Sequence, residues 1–339
     1  MQHLLRFFRL RVLAVLFATA GIGFALPANA TPDYPAMFVF GDSLSDTGND
    51  QILTRRLGLT PAIPPSSSPN ATYYRGRFSN GYVAVEYLWW LLSGHAPETA
   101  KALKPVLGIT RLGPSQSVNF AFGGAGTGVN TTTPSGFSVP GLLGQVSSFT
   151  ALRPAPGVVG SGLFVVATGS NDYLFQNPAA PADPAAVVGR IATAIKRLYA
   201  SGARNFLVWN IPDLGRLPLT AASQGLSGLL STQAQAHNQL LAQTVAALAS
   251  QLSGVRIVLA DLNQAAQIVP GSELFIPALD AVAPGTGAST CLFVNPATCP
   301  DIATFQADSR YFYWDVEHPA TATHKLLGQY LYQLLGGGQ

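Results

Sequence analysis

The chain has 339 residues, enough for one large domain with a full core, and 10% of them are charged. Its formal net charge of +3 comes from the first 30 residues, which hold three of the 19 Lys and Arg and none of the 16 Asp and Glu. Beyond Ala30 the 16 basic residues face 16 acidic ones, so no electrostatic case for nucleic-acid binding remains.

Those first residues have the order of a secretory signal peptide. Arg6, Arg9 and Arg11 precede an apolar run from Val12 to Leu26, and Ala28-Asn29-Ala30 forms a small-x-small cleavage pattern. The rival is a retained anchor, but the run is short beside the roughly 20 apolar residues of a spanning helix. The expectation is a signal peptide at 1–30 cut after Ala30, one domain over 31–339, and a secreted or periplasmic protein. In an exported chain Cys291 and Cys299 are expected to form a disulfide closing a short loop.

In chain order, Met37–Phe40 is an apolar run suited to a strand and Tyr82–Leu92 is a helical pattern. Val118–Ala121 and Leu163–Ala167 read as strands, and Pro184–Ala200 as a helix with Val187, Val188, Ile191, Ile195 and Leu198 on one face. Phe206–Trp209 is a strand, Ala221–Leu252 a helix, Arg256–Ala260 a strand and Pro319–Leu335 the last helix. The five strands are continuously apolar, as strands buried on both faces are, and they alternate with helices. This predicts a doubly wound α/β fold on a five-stranded parallel sheet. The Gly/Pro/Ser-rich stretches Pro61–Asn70, Thr127–Gly141, Arg153–Gly162, Gln176–Asp183 and Pro270–Thr298 are expected to be loops within one domain.

Ligands of open α/β sheets bind beyond the carboxyl ends of the strands. Gly41-Asp42-Ser43-Leu44 follows the first strand, Gly123-Gly124 the second and Gly169-Ser170-Asn171-Asp172 the third. Asp315-Val316-Glu317-His318-Pro319 precedes the final helix. Ser43 as a nucleophile needs a base, and His318 suits that role. Asp315, three residues before His318, can hold the imidazole in the right tautomer. Pro319 is expected at the first helical position. Backbone N–H groups of Ser43 and Gly124 and the Asn171 amide can form an oxyanion hole.

These blocks resemble, in order, those of the GDSL or SGNH-hydrolase family of lipases and esterases: Gly41-Asp42-Ser43-Leu44, Asn119-Phe120-Ala121-Phe122-Gly123-Gly124, Gly169-Ser170-Asn171-Asp172 and Asp315-Val316-Glu317-His318. Tyr74–Gly81 and Asn210–Gly215 are similar to the bacterial secreted phospholipase/lecithinase/haemolysin branch, which includes glycerophospholipid–cholesterol acyltransferase-like proteins. The resemblance implies a three-layer α/β/α, flavodoxin-like fold, no metal or cofactor, and the roles assigned above. The second block offers Gly123 or Gly124; counting from Asn119 selects Gly124.

The remaining candidates have blander roles. Ser45, Asp46 and Asn49 are expected to brace the turn after Ser43, and Asp172 its own loop. Arg75 and Arg77 suit structural ion pairs. His95 and His237 read as surface or core residues, His324 falls on the far side of the last helix, and Glu317 is badly angled to serve His318. Gly124–Gly128 lacks the dinucleotide fingerprint, and no Gly-x-Ser-x-Gly elbow or His-Glu-x-x-His motif is present. The expected function is hydrolysis of a small-molecule or lipid ester through an acyl-serine intermediate, with transient contact at lipid surfaces compatible with it. The rivals are an acyltransferase using the same site and a non-catalytic surface protein on a retained hydrolase fold. The oligomeric state is open.

Overall fold

The computed structural model describes residues 33–66, 73–109, 113–177, 179–221, 223–268 and 312–337, all within the compact unit Thr31–Gln339. The expected signal segment and the Cys291–Cys299 pair lie outside the described residues. Eight strands are described: β1 Met37–Gly41, β2 Lys104–Pro105, β3 Val118–Asn119, β4 Asn130–Thr132, β5 Ser138–Pro140, β6 Leu163–Ala167, β7 Asn205–Trp209 and β8 Arg256–Ala260. The helices are α1 Asn49–Arg56, α2 Ala84–Ser93, α3 Leu142–Leu152, α4 Pro156–Ser161, α5 Ser170–Leu174, α6 Pro184–Ala200, α7 Pro218–Ala221, α8 Gln224–Gln251, α9 Leu262–Ile268 and α10 Thr321–Leu334.

The main sheet runs β2-β3-β1-β6-β7-β8 and all its pairings are parallel. The five expected strands are its last five. The sixth, β2, escaped notice because two residues, one of them proline, carry no apolar period; proline is tolerated there at the sheet edge. Two expected loops also hold structure. β4 and β5 form an antiparallel hairpin inside 127–141, and α4 lies inside 153–162. The polar hairpin has an exposed face and is too short to show an alternation.

Alternate side chains of the buried strands face opposite layers. Phe38, Phe40, Phe164 and Phe206 pack with Val146 and Phe149 of α3, Ile191 and Ile195 of α6 and Leu241 of α8. Met37, Val39, Val165, Leu207 and Trp209 pack with Leu88 and Trp89 of α2, Ala265 of α9 and Leu331 of α10. The three-layer expectation therefore holds, with apolar burial on both sheet faces. The chain lays β2 and β3 on one side of β1 and β6 to β8 on the other. The carboxyl ends of β3, β1 and β6 adjoin at this reversal, which is where open α/β sheets place ligands.

Candidate active site

The turn after β1 is built from its own carboxylates. Asp42 Oδ1 accepts the Leu44 N–H, and its carbonyl accepts those of Ser45 and Asp46. Asp46 accepts the Gly48 and Asn49 N–H groups at 2.7 Å and that of Asp50 at 3.0 Å, so it caps the start of α1. Asn49 ties the turn to β3, donating to the carbonyls of Asn119 and Ala121, while the Asn119 amide donates to the Ser45 carbonyl and to Thr47 Oγ1. The bracing roles read for Asp46 and Asn49 are thus visible, although Ser45 Oγ is buried with no hydrogen-bond partner among the described residues. One contributor had no local signal: the Gln145 amide, from α3, both donates to and accepts from the Gly41 backbone. Gly41 needs the absence of a side chain, since a Cβ there would sit 2.7 Å from the Ala167 carbonyl oxygen.

The segment before α10 folds around Asp315. Its Oδ1 accepts the N–H groups of Glu317 and His318, each at 2.7 Å, and the Trp314 N–H closes the turn on the His318 carbonyl. Oδ2 accepts from His318 Nδ1 at 2.7 Å and from the Tyr73 hydroxyl at 2.7 Å. On the other side of the ring, His318 Nε2 lies 2.8 Å from Ser43 Oγ. The structure therefore brings Ser43, His318 and Asp315 into one hydrogen-bonded row, and Glu317 lines the adjoining cavity instead of meeting the ring nitrogen. The Phe78 ring lies against the imidazole, centroids 5.2 Å apart.

Electrostatics follows from these contacts. Burial opposes charge on His318, but the Asp315 carboxylate, with smaller help from Glu317 and Asp42, outweighs it and raises His318 to about 9. Burial also works against the Asp315 charge, yet His318 and the two backbone N–H donors hold that carboxyl below its ordinary 3.8. Asp42, buried with one backbone donor, is pushed up by burial to about 7.

Pro319 requires a correction. It is not the first residue of the last helix: Ala320 is the N-cap and α10 begins at Thr321. The Thr321 N–H is accepted by Asn80 Oδ1 at 2.8 Å, and the Pro319 carbonyl accepts from Ser79 Oγ. A cap donated from another segment sets the helix start, and Pro319 completes a bridge with Tyr313 instead.

The expected oxyanion donors border one cavity of about 430 Å³, which also reaches Ser43 and His318. The Gly123 N–H is directed at Asp46 Oδ2, 3.4 Å away, whereas the backbone N–H groups of Gly124 and Ser43 have no hydrogen-bond partner among the described residues. Gly124 has φ +73°, a conformation open to glycine, and a Cβ on it would approach Thr133 Cγ2 to 2.9 Å. One Asn171 amide hydrogen goes to the Ala125 carbonyl at 3.0 Å, leaving the second. The cavity is otherwise largely apolar, with Ile63, Pro64, Phe78, Phe137, Phe175 and Leu219 in its walls.

The other titratable candidates are structural. Arg77 pairs with Glu86 and Arg75 with Glu98. Asp172 accepts from the Thr127 N–H and hydroxyl and pairs with Arg190, joining the β3 and β6 ends. His237 is buried beside the Tyr173 hydroxyl, and burial lowers it to about 4. His324 accepts the Ala84 N–H, and burial with His318 nearby lowers it to about 3. Tyr73 was missed because it lies 242 residues from Asp315 in the chain and no spacing rule links them. Asp50, wholly buried in the cavity wall, was also missed.

The model of the family described as GDSL-like Lipase/Acylhydrolase matches residues 37–331. A GDSL esterase/lipase of Arabidopsis thaliana is 26% identical over 355 residues, covering 95% of this chain and 97% of its own. The phosphatidylcholine-sterol acyltransferase of Aeromonas hydrophila is 30% identical over 217 residues, covering 63% of this chain and 55% of that protein. Among solved structures, a member of the lipolytic protein G-D-S-L family from Veillonella parvula aligns at 11% identity and a TM-score of 0.40, covering 88% of this chain and 96% of that one.

Proposed function

This chain belongs to the GDSL-like lipase/acylhydrolase family and is a carboxylic ester hydrolase, and we propose that it works through an acyl-serine intermediate on Ser43. Ser43 Oγ attacks the ester carbonyl and its proton passes to His318 Nε2. The imidazolium is held by Asp315, itself anchored by Tyr73 and two backbone N–H groups. Negative charge on the tetrahedral oxygen is met by the N–H groups of Ser43 and Gly124 and by the Asn171 amide. Collapse returns the proton to the departing alcohol, and water repeats the sequence to release the acid. The observation that carries this reading is the row Ser43 Oγ, His318 Nε2 at 2.8 Å, then His318 Nδ1 and Asp315 Oδ2 at 2.7 Å.

The largely apolar cavity supports an ester with an apolar part: a lipid, lysophospholipid or short-chain ester. Its volume falls within the roughly 300–1,000 Å³ range of small-ligand sites. Ser43→Ala should lower turnover of aryl butyrates by about 10⁴-fold or more with the fold retained. A fluorophosphonate probe should label wild type at Ser43; wild-type activity in the variant would refute the assignment.

The Aeromonas relative favours one second reading, in which the acyl group passes to a sterol or another alcohol. Product analysis with water and alcohol both present separates the two, since free acid alone argues against transfer. We assign residues 1–30 to a signal peptide removed after Ala30, 31–339 to one hydrolase domain, and a disulfide to Cys291 and Cys299 of the exported protein. A mature N-terminus other than Thr31, or two titratable thiols, would overturn these assignments.

A further inference from the structure

We propose that the Asp50 carboxyl is a specificity-determining group that hydrogen-bonds a neutral polar oxygen of the ester, a few bonds from the reacting carbonyl; this rests on the reading of Ser43 as nucleophile. Asp50 is the second residue of α1 and lines the cavity that holds Ser43, Gly124 and Asn171. The residue is 1% exposed, and neither carboxyl oxygen has a hydrogen-bond partner among the described residues. Its Oδ2 lies beside Gly123, where a Cβ would come within 2.6 Å of it and within 2.4 Å of the Phe78 ring. The polar group therefore adjoins the same glycine pair that supplies the expected oxyanion donor.

The neighbouring Asp46 has a different state. It accepts the N–H groups of Gly48, Asn49 and Asp50, so it is the better seat for a negative charge. Burial, with the Asp46 carboxyl beside it, holds Asp50 well above the ordinary carboxylate range. A protonated carboxyl has both a donor and an acceptor to satisfy, and a buried one left unmatched is unfavourable. Asp50 is among the residues that line the cavity. Among the described residues lining it there is no lysine or arginine, and the acid O–H of Asp50 suits a neutral oxygen. A hydroxyl fits best, since it can accept from the acid O–H and donate to its carbonyl; an ether or carbonyl oxygen can accept alone.

Two isosteric pairs locate that oxygen. In the acyl part, p-nitrophenyl β-hydroxybutyrate is compared with p-nitrophenyl isovalerate. In the alcohol part, ethylene glycol monobutyrate is compared with propyl butyrate. Each kcat/KM ratio is divided by the ratio for hydroxide-catalysed hydrolysis, which removes intrinsic reactivity. Wild type should favour the hydroxylated member of one pair by about tenfold or more, because a site built to bond a hydroxyl discriminates strongly against the analogue lacking it. Asp50→Leu should abolish that preference, and Asp50→Asn, which keeps a donor and an acceptor, should retain most of it. Turnover by wild type without preference in either pair overturns this inference alone, and needs no folded variant. A preference that survives Asp50→Leu also overturns it. Inertness toward all four esters overturns the Ser43 reading and this one together.

Discussion

Asp315, in the turn before α10, and Asp50, in the first turn of α1, are buried to the same depth, 0% and 1% exposed. Their carboxyls are in opposite states. Asp315 receives four hydrogen bonds, from Tyr73, His318 Nδ1 and two backbone N–H groups, and stays ionised below its usual range. Asp50 has no partner in good hydrogen-bond geometry among the described residues, and burial beside Asp46 outweighs the nearby Gly123 N–H and holds it well above that range. Burial by itself favours the neutral acid in both places; at Asp315 the His318 charge and the donors outweigh it, whereas at Asp50 the neighbouring Asp46 charge adds to it.

The strongest way to break this contrast is Asp315→Asn, which keeps the shape and removes the charge. It should lower kcat by about 10³–10⁴-fold by losing the preferred tautomer and the stabilised imidazolium. A loss below tenfold would show that His318 does not depend on this partner. The pH profile sharpens the same point. An imidazolium cannot take the Ser43 proton, so kcat/KM should climb as pH rises through the His318 value. Its half-rise should lie above the ordinary 6.5, toward about 9, and should move down in Asp315→Asn. A half-rise near 6.5 in wild type would contradict the coupling of His318 to Asp315.

Tyr73→Phe removes one of the four donors and leaves the other three. Its effect should be near tenfold on kcat, since one net hydrogen bond to a charged group contributes about 1.5–3 kcal/mol and part of it is present before reaction. An unchanged pH profile and rate would reduce Tyr73 to packing. The smallest effect concerns Asp50 and stability. Its folded pKa lies above its ordinary 3.8, so its stabilising contribution is full below about that pH and is lost as pH rises toward the folded value. Asp50→Asn should therefore flatten the fall of the thermal midpoint as pH rises above about 4, by about 2–4 °C. Parallel wild-type and variant curves would mean that Asp50 is ionised in the fold, as Asp315 is.

Much of this architecture was legible from residue order. The apolar runs at Met37–Phe40, Leu163–Ala167 and Phe206–Trp209 became central strands because a strand covered on both faces leaves no polar position in its sequence. The two-residue β2 and the polar hairpin of β4 and β5 were illegible, being shorter than any period. The start of α10 was misplaced at Pro319 because its cap comes from Asn80, 241 residues away.

The sequence by itself determined the short-range chemistry: Asp315 reaching His318 within one turn, Asp46 bracing the turn after Ser43, and Ser43 set just beyond an apolar strand. These depend on contacts within a few residues, which spacing encodes. Only the tertiary structure decided how Gln145 clasps Gly41 and how Tyr73 reaches Asp315. It also decided that Asp50 has no partner in good hydrogen-bond geometry among the described residues. Such groups meet through packing of distant segments, and the charge state of a buried carboxyl depends on which donors that packing delivers.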